Sequence, residues 1–337
     1  MWCCLLLIAV IGCFFVFVKQ TENQNVSMQS ISRFTYPCMG TIVDISLFDT
    51  PETNEKAAEA IYNELHKIEL MCSIFNPASE ISKLNASADK KPFVCSKELY
   101  DLLLKCKKAY EITHGTFDIT AKPLMNLWGF YVKKNHTPSR SEIENTLAIV
   151  GLNKVRFNDA ERSINFTVKG MSFDLGGVAK GAALDAALAA AKNAGAENGI
   201  INLGGNIACF GHNKEGRNFF EVGIRDPQNA NAIIRKICIS NSYCATSGNY
   251  ERFTVIDGKR YSHIMNPLTG TPVQNMYSAT VVASKGIDSD ILSTACFILG
   301  NDFAAELVRK GIIENAFLIY PENNRITSKY ITKEEKK

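Results

Sequence analysis

The sequence predicts a globular chain that mixes α-helices with β-strands, and three stretches carry that expectation. The first is residues 173–205, FDLGGVAKGAALDAALAAAKNAGAENGIINLGG. A short apolar run ends at Asp174, Gly176 and Gly177 make a turn, and an Ala/Leu-rich segment runs from Val178 to about Asn193. Gly195 and Gly199 stop that helix, and Gly199 to Leu203 returns as an apolar strand closing on Gly204 and Gly205, giving strand, turn, helix, strand. The second is a pair of helical patterns upstream of this unit, and the third is a run of short strands after Asn206.

Glycine carries no Cβ, so backbone N–H groups at the start of a helix can approach an anion that the helix dipole also favours. A Gly-Gly turn is more commonly a plain connector, and the turn chemistry leaves both readings open for Gly176 and Gly177. The stretch is neither G-x-G-x-x-G nor a P-loop, because Lys180 follows a Val-Ala pair and precedes Gly181 rather than Ser or Thr. Alanines at 182, 183, 186, 187, 190 and 191 give the helix thin flanks for packing on a sheet, with Leu184 and Leu188 on one face.

Upstream, Met39-Gly-Thr leads into the alternating strand 42–48, and residues 54–73 carry Ala57, Ile61, Leu65, Ile68 and Cys72 at helical spacing, with a cap near Thr53 or Asn54. Residues 75–85 are expected to be a polar loop with one exposed aromatic, Phe75. A second helix runs from Ser96 to about His114 and stops at Gly115. Just past it, Asp118 stands among Phe117, Ile119, Leu124 and Trp128, either as a buried, satisfied carboxylate or as a site group. Residues 139–149 read as a short helix and 154–168 as a hairpin. Strands are expected at 219–224, 233–240, 243–246, 252–256 and 278–283, separated by loops at 247–252 and 261–272 that are dense in turn residues. The second loop holds His263, whose ring titrates near neutral pH. A last helix is expected to start near Asp288, with Asp290 and Thr294 at i, i+4 on one face. That start is either a cap by Asp288 or Ser289 or a hard-cation site of carboxylate and hydroxyl oxygens.

With 337 residues, 46% hydrophobic and 21% charged, the chain is long enough for a sizeable core. A formal charge of +3 without a basic run before the Lys333 to Lys337 tail argues against a nucleic-acid surface. Trp2 to Val18 is an unbroken apolar run whose first charge is Lys19, so a membrane tether is expected, with a polar linker from Gln20 to Ser32. Val10-Ile-Gly-Cys13 is similar to the cleavage box of bacterial lipoproteins, which leaves an uncleaved anchor and a lipidated Cys13 as alternatives. Three of the eleven cysteines lie in this leader; the other eight form no C-x-x-C pair and are expected to be buried free thiols, with occasional disulfides in an oxidising compartment.

Several motifs occur in a fixed order: Met39-Gly-Thr, Ser79-Glu-Ile-Ser with Leu84-Asn85, Thr116-Phe-Asp118, Pro123-Leu with Asn126-Leu-Trp-Gly, Asp174-Leu-Gly-Gly-Val-Ala-Lys-Gly181, Asn202-Leu-Gly-Gly-Asn206, Ser247-Gly-Asn-Tyr-Glu-Arg252, His263-Ile-Met-Asn-Pro and Asp290-Ile-Leu-Ser-Thr294. Together they resemble the ApbE family, the FAD:protein FMN transferases, over the chain from about Arg33 to Gly300. The resemblance implies a single α+β domain of the T-fold-like flavin transferase type at 33–329, behind an anchor or lipoprotein-type signal at 1–19 and a linker at 20–32, with a charged tail at 330–337. It implies FAD as substrate, Mg²⁺ as cofactor, and transfer of FMN onto a Ser or Thr hydroxyl of an acceptor protein, a membrane redox subunit, on the periplasmic side of a bacterial inner membrane.

Carried over by position, Met39, Phe75, Thr116, Phe117, Asp118, Asp174, Lys180 and Ile264 match FAD contacts. The Gly177 carbonyl, Asp290 and Thr294 match metal ligands, and His263 matches the catalytic base. Asn266 and Asn249 stand where the family commonly has Asp, so two carboxylates that would tune His263 are absent while the turn-forming side chains are kept. Ala121 and Lys122 replace residues that are commonly Val and Gly. The competing readings are an FAD pyrophosphatase that releases FMN and AMP, and a flavin-binding lipoprotein without turnover.

Overall fold

The computed structural model describes residues 31–229, 231–323 and 325–333; the expected anchor, nearly all of the linker and the end of the tail lie outside them. Among the described residues no helix is long and apolar enough to cross a membrane. The chain opens with the hairpin β1 (Ser32–Cys38) and β2 (Thr41–Leu47), turned by Met39 and Gly40 at φ 53° and 70°. Then comes α1 (Pro51–Cys72), where Thr50 accepts from the Thr53 N–H and Pro51 takes the first helical turn. α2 (Glu80–Ser87) occupies what the sequence suggested was a loop. Ser79 caps it by accepting from Ser82 N–H, but only Ile81 and Leu84 are buried, too short a stripe to stand out as periodicity.

β3 (Phe93–Val94), α3 (Lys97–Ile112), α4 (Lys122–Leu127), α5 (Arg140–Leu147), β4 (Val155–Asn158) and β5 (Ser163–Phe166) follow, the three strands forming a small sheet in the order β3-β5-β4. The central unit supplies α6 (Ala179–Asn193), β6 (Gly199–Leu203) and β7 (Asn206–Phe210). Next are β8 (Phe220–Arg225), β9 (Ile233–Ile239), β10 (Tyr243–Gly248), β11 (Phe253–Ile256), β12 (Lys259–Ser262), β13 (Met265–Asn266), β14 (Thr271–Pro272) and β15 (Ser278–Ala283). α7 (Gly286–Leu299), α8 (Asn301–Arg309), β16 (Asn315–Glu322) and β17 (Arg325–Thr332) complete the chain.

Eight strands form one antiparallel sheet in the order β1-β2-β6-β7-β10-β15-β16-β17. Side chains alternate across it: Ala316 and Leu318 of β16 join the core shared with α1, α6 and α7, while Phe317 and Ile319 join Phe220, Val222, Ile237 and Ile239 of the β8–β9 ribbon. Helices therefore cover one face and a β-ribbon covers part of the other. Every position of β15 is buried as a result. The mixed helix-and-strand organisation expected from the sequence holds.

Several local expectations are corrected. The apolar run before Asp174 is not a strand, because its backbone groups are satisfied elsewhere: Asn85 accepts from Phe173 N–H at 2.7 Å and donates to its carbonyl at 2.9 Å, and Asp174 N–H donates to the Ile119 carbonyl at 2.8 Å. The loop at 261–272 contains the end of β12 and the short β13–β14 pair. α7 begins at Gly286 rather than Asp288, and neither Asp288 nor Ser289 caps it. Asp185 of α6 does so, accepting from Gly286 N–H at 2.7 Å and Ile287 N–H at 3.1 Å. β17 carries the fold through Thr332, past the boundary expected at 329. All eight described cysteines are free thiols; seven are buried and Cys238 is exposed. Burial pushes Cys244 and Cys296 up to about 12, which keeps them protonated and unreactive.

Candidate active site

The site is organised by the glycine turn ahead of α6. Asp174 braces this turn, one oxygen accepting from Gly176 N–H at 2.9 Å and the other from the Tyr131 hydroxyl. A Cβ on Gly177 would lie 3.2 Å from the Phe117 ring and 3.7 Å from Thr294 Oγ1, so the bare backbone lets the turn sit against α7. α6 starts with no side-chain cap at Val178; the Val178 and Ala179 N–H groups donate to the Leu175 carbonyl at 3.0 and 2.8 Å, and the first turn lies at the positive end of the helix dipole. Lys180 stands on this first turn with Nζ 3.9 Å from Asp290 Oδ1, and Gly181 N–H donates to Asp290 Oδ2 at 2.9 Å. Asp290 is only 4% exposed. One turn along α7, Thr294 Oγ1 lies 3.1 Å from Ser247 Oγ, which is also 2.9 Å from Ser293 Oγ.

This is a set of hard oxygens with a single carboxylate, beside a lysine and a helix N-terminus. Among the described residues there is no group of three or more His, Cys, Asp or Glu suited to a metal. The donor set of Asp290, Thr294 and the Gly177 backbone nevertheless fits a hard cation whose coordination is completed by ligand oxygens.

His263 follows β12 and is tied to Arg252, whose carbonyl takes the ring Nδ1 at 3.0 Å and the His263 N–H at 3.3 Å. With Nδ1 assigned as the donor, Nε2 keeps its lone pair. Burial pushes the imidazole down to about 4; the bond to the Arg252 carbonyl opposes this, and the positive charges of Arg252 and Lys180 reinforce it. The ring is neutral at physiological pH. His263 is half-buried; Ile264, which is buried, is held by its N–H to Ser262 Oγ at 3.1 Å and by its carbonyl, which accepts from Val273 N–H at 2.9 Å.

The remaining residues singled out by the sequence divide into two groups. Met39 and Phe75 offer surfaces: Met39 N–H is anchored on Glu69 at 2.8 Å, and the Phe75 ring, 72% exposed, meets Tyr131 edge-on at 5.9 Å. Thr116 and Phe117 are buried, both tied to Thr113. Asp118 is a hydrogen-bonded carboxylate. It accepts from Thr120 N–H, Thr120 Oγ1 and Leu152 N–H at 2.8, 2.7 and 3.2 Å, although burial still raises its pKa. Gly177, Lys180, Asp290, Thr294 and Phe117 thus meet directly, Asp174 reaches Phe75 through Tyr131, and Lys180 links electrostatically to His263.

Tyr131, Ser247, Arg252 and Glu69 were not among the candidates. Ser247 and Arg252 sit within a motif that the resemblance includes without giving either residue a role, and nothing local marks Tyr131 or Glu69, since their roles depend on partners distant in sequence.

A model of the ApbE family matches residues 39–317. The FAD:protein FMN transferase of Haemophilus influenzae is 29% identical over 300 residues, covering 86% of each chain. The crystal structure of the ApbE protein from Thermotoga maritima superposes with a TM-score of 0.80 at 31% identity, over 88% of this chain and 96% of that one. The flavin transferase ApbE from Vibrio cholerae, 24% identical, shares the fold with a TM-score of 0.79, over 93% of this chain and 98% of its own. The family match spans the glycine turn, His263 and the Asp290–Thr294 pair, and on it the chain belongs to the ApbE family.

Proposed function

We propose that the protein is an FAD:protein FMN transferase that moves the FMN moiety of FAD onto a Ser or Thr hydroxyl of an acceptor protein and releases AMP, with Mg²⁺ as cofactor. The names of its relatives support the activity. The observation that carries it is the buried Asp290 carboxylate set between Lys180 and the Gly181 N–H at the start of α6, one turn along α7 from Thr294, whose hydroxyl meets that of Ser247. A pyrophosphate laid there meets the Lys180 cation at the positive end of the α6 dipole. Mg²⁺, held by Asp290, Thr294 and the Gly177 carbonyl, would neutralise charge on the phosphate oxygens.

In the transfer, the acceptor oxygen bonds to the FMN-side phosphorus as the bond from that phosphorus to the bridging oxygen breaks. AMP leaves with the electron pair, and the acceptor's proton passes to Nε2 of neutral His263. Met39, Phe75, Thr116, Phe117, Asp118, Asp174 and Ile264 complete the FAD site in this reading, with Asp118 acting as a support for its neighbours. The acceptor is a membrane redox subunit, and the domain works on the periplasmic face, tethered through residues 1–19.

The test is incubation of the domain from about Ile31 with FAD, Mg²⁺ and a Ser/Thr acceptor peptide. A peptide mass gain of FMN with matching AMP is expected. Free FMN and AMP without a mass gain would identify a pyrophosphatase, and bound but intact FAD a flavin carrier.

A further inference from the structure

We propose that Tyr131 is a positioning residue for FAD, holding the aromatic end of the site and the phosphate-binding glycine turn at a fixed spacing through Asp174. The inference rests on the transferase reading, since it takes FAD as the ligand. Tyr131 lies just beyond the left-handed turn at Gly129, φ 78°, and is half-buried, while residues 132–137 after it are all exposed. It is the point at which this loop is tied to the rest of the site.

Its two ends do different things. The ring meets Phe75, an aromatic left largely in solvent, so the two rings make an open apolar corner suited to a planar ligand. The hydroxyl donates to Asp174, whose other oxygen holds Gly176 N–H at 2.9 Å. Gly177, the next residue, is fitted between Phe117 and Thr294. A continuous set of contacts therefore runs from Phe75 through Tyr131 and Asp174 to the turn beside Thr294 and Asp290. Burial and the adjacent Asp174 charge raise the phenol's pKa far above its ordinary range, so the donor persists at any working pH. Asp174, with both oxygens occupied, acts as a strut rather than as a free base.

Tyr131→Phe keeps the ring and removes the hydroxyl. Flavin fluorescence titration with FAD, run without acceptor, should show affinity about tenfold weaker, the scale of one lost hydrogen bond to a carboxylate, while the melting temperature stays near the parent's. Because Tyr131 acts through Asp174, the Tyr131→Phe/Asp174→Asn double variant should bind no worse than Asp174→Asn alone. Parental affinity in Tyr131→Phe, full additivity in the double variant, or a binding loss that tracks a large drop in melting temperature each overturns the proposal. Failure of the parent itself to bind FAD sinks the transferase reading, and this inference with it; parental binding with an unaffected Tyr131→Phe sinks only the inference.

Discussion

Asp290 on α7 accepts a hydrogen bond from the backbone N–H of Gly181 on α6 at 2.9 Å, where the two helices pack backbone to backbone at Gly181 and Gly286. A Cβ on Gly181 would stand 2.3 Å from the Gly286 carbonyl oxygen and 2.7 Å from Asp290 Cβ. The missing side chain thus lets a carboxylate on one helix address the first turn of another, which places Asp290 beside Lys180 as well. Helix packing and candidate chemistry depend on the same contact.

Gly181→Ala is therefore expected to destabilise the domain by about 1–3 kcal/mol, the usual range for overpacking, because the obstacle is backbone that cannot rotate away. Urea denaturation with unchanged m-value measures it. A variant as stable as the parent would mean that α6 and α7 separate freely, and the contact would lose its significance.

Asp290→Asn and Asp290→Ala should behave differently. Asparagine can still accept from Gly181 N–H through its amide oxygen, so the fold should hold while metal-dependent turnover is lost. Alanine leaves a buried N–H unpaired, a penalty of about 1–3 kcal/mol on top of the functional loss. Turnover against Mg²⁺ concentration, beside thermal melts of both variants, checks this. An Asn variant with parental turnover and metal dependence would remove Asp290 from the site.

Much of this arrangement was legible from local pattern. The helix at 54–73, the Gly176-Gly177 turn and the Asp290–Thr294 spacing all follow from periodicity or from what glycine permits, although the helix starts earlier than expected, at Pro51, because Thr50 rather than Thr53 or Asn54 caps it. What could not be read was set at long range. α7 begins two residues before Asp288 because Asp185, on a different helix, caps it. The segment before Asp174 joins no sheet, because Asn85 and Ile119 take its backbone bonds. α2 has a normal Ser79 cap but too few apolar residues for its period to show. Asp118 was ambiguous in sequence because its satisfaction by Leu152 N–H depends on the fold.

Residues 33–329 are expected to work outside the cytoplasm, since the apolar run at 2–18 precedes them behind a polar linker. Added protease should cleave the domain in spheroplasts while leaving a cytoplasmic marker intact. Cleavage only after lysis of the inner membrane would reverse the assignment.

His263 gives the sharpest test because its environment fixes a sign. Burial holds the imidazole at about 4 instead of 6.5, so its neutral form dominates well into the acid range. If Nε2 is the base for the acceptor hydroxyl, the limb of transfer due to His263 should fall only as pH approaches 4, with little change from it between mildly acidic and mildly alkaline pH. Stability falls in the same direction but over a different pH window. The unfolded chain takes up the proton first, so the native state loses stability as pH falls from about 6.5 toward 4, and His263→Ala should flatten that part of the stability profile. The same variant should lose transfer by roughly two to four orders of magnitude, the range for a positioned base, while FAD affinity changes little. Initial transfer rates across pH at saturating FAD, with binding followed separately by flavin fluorescence, decide the matter. Near-parental transfer in the variant, or a loss that disappears once FAD is saturating, would make His263 a binding residue and send the search for the base elsewhere.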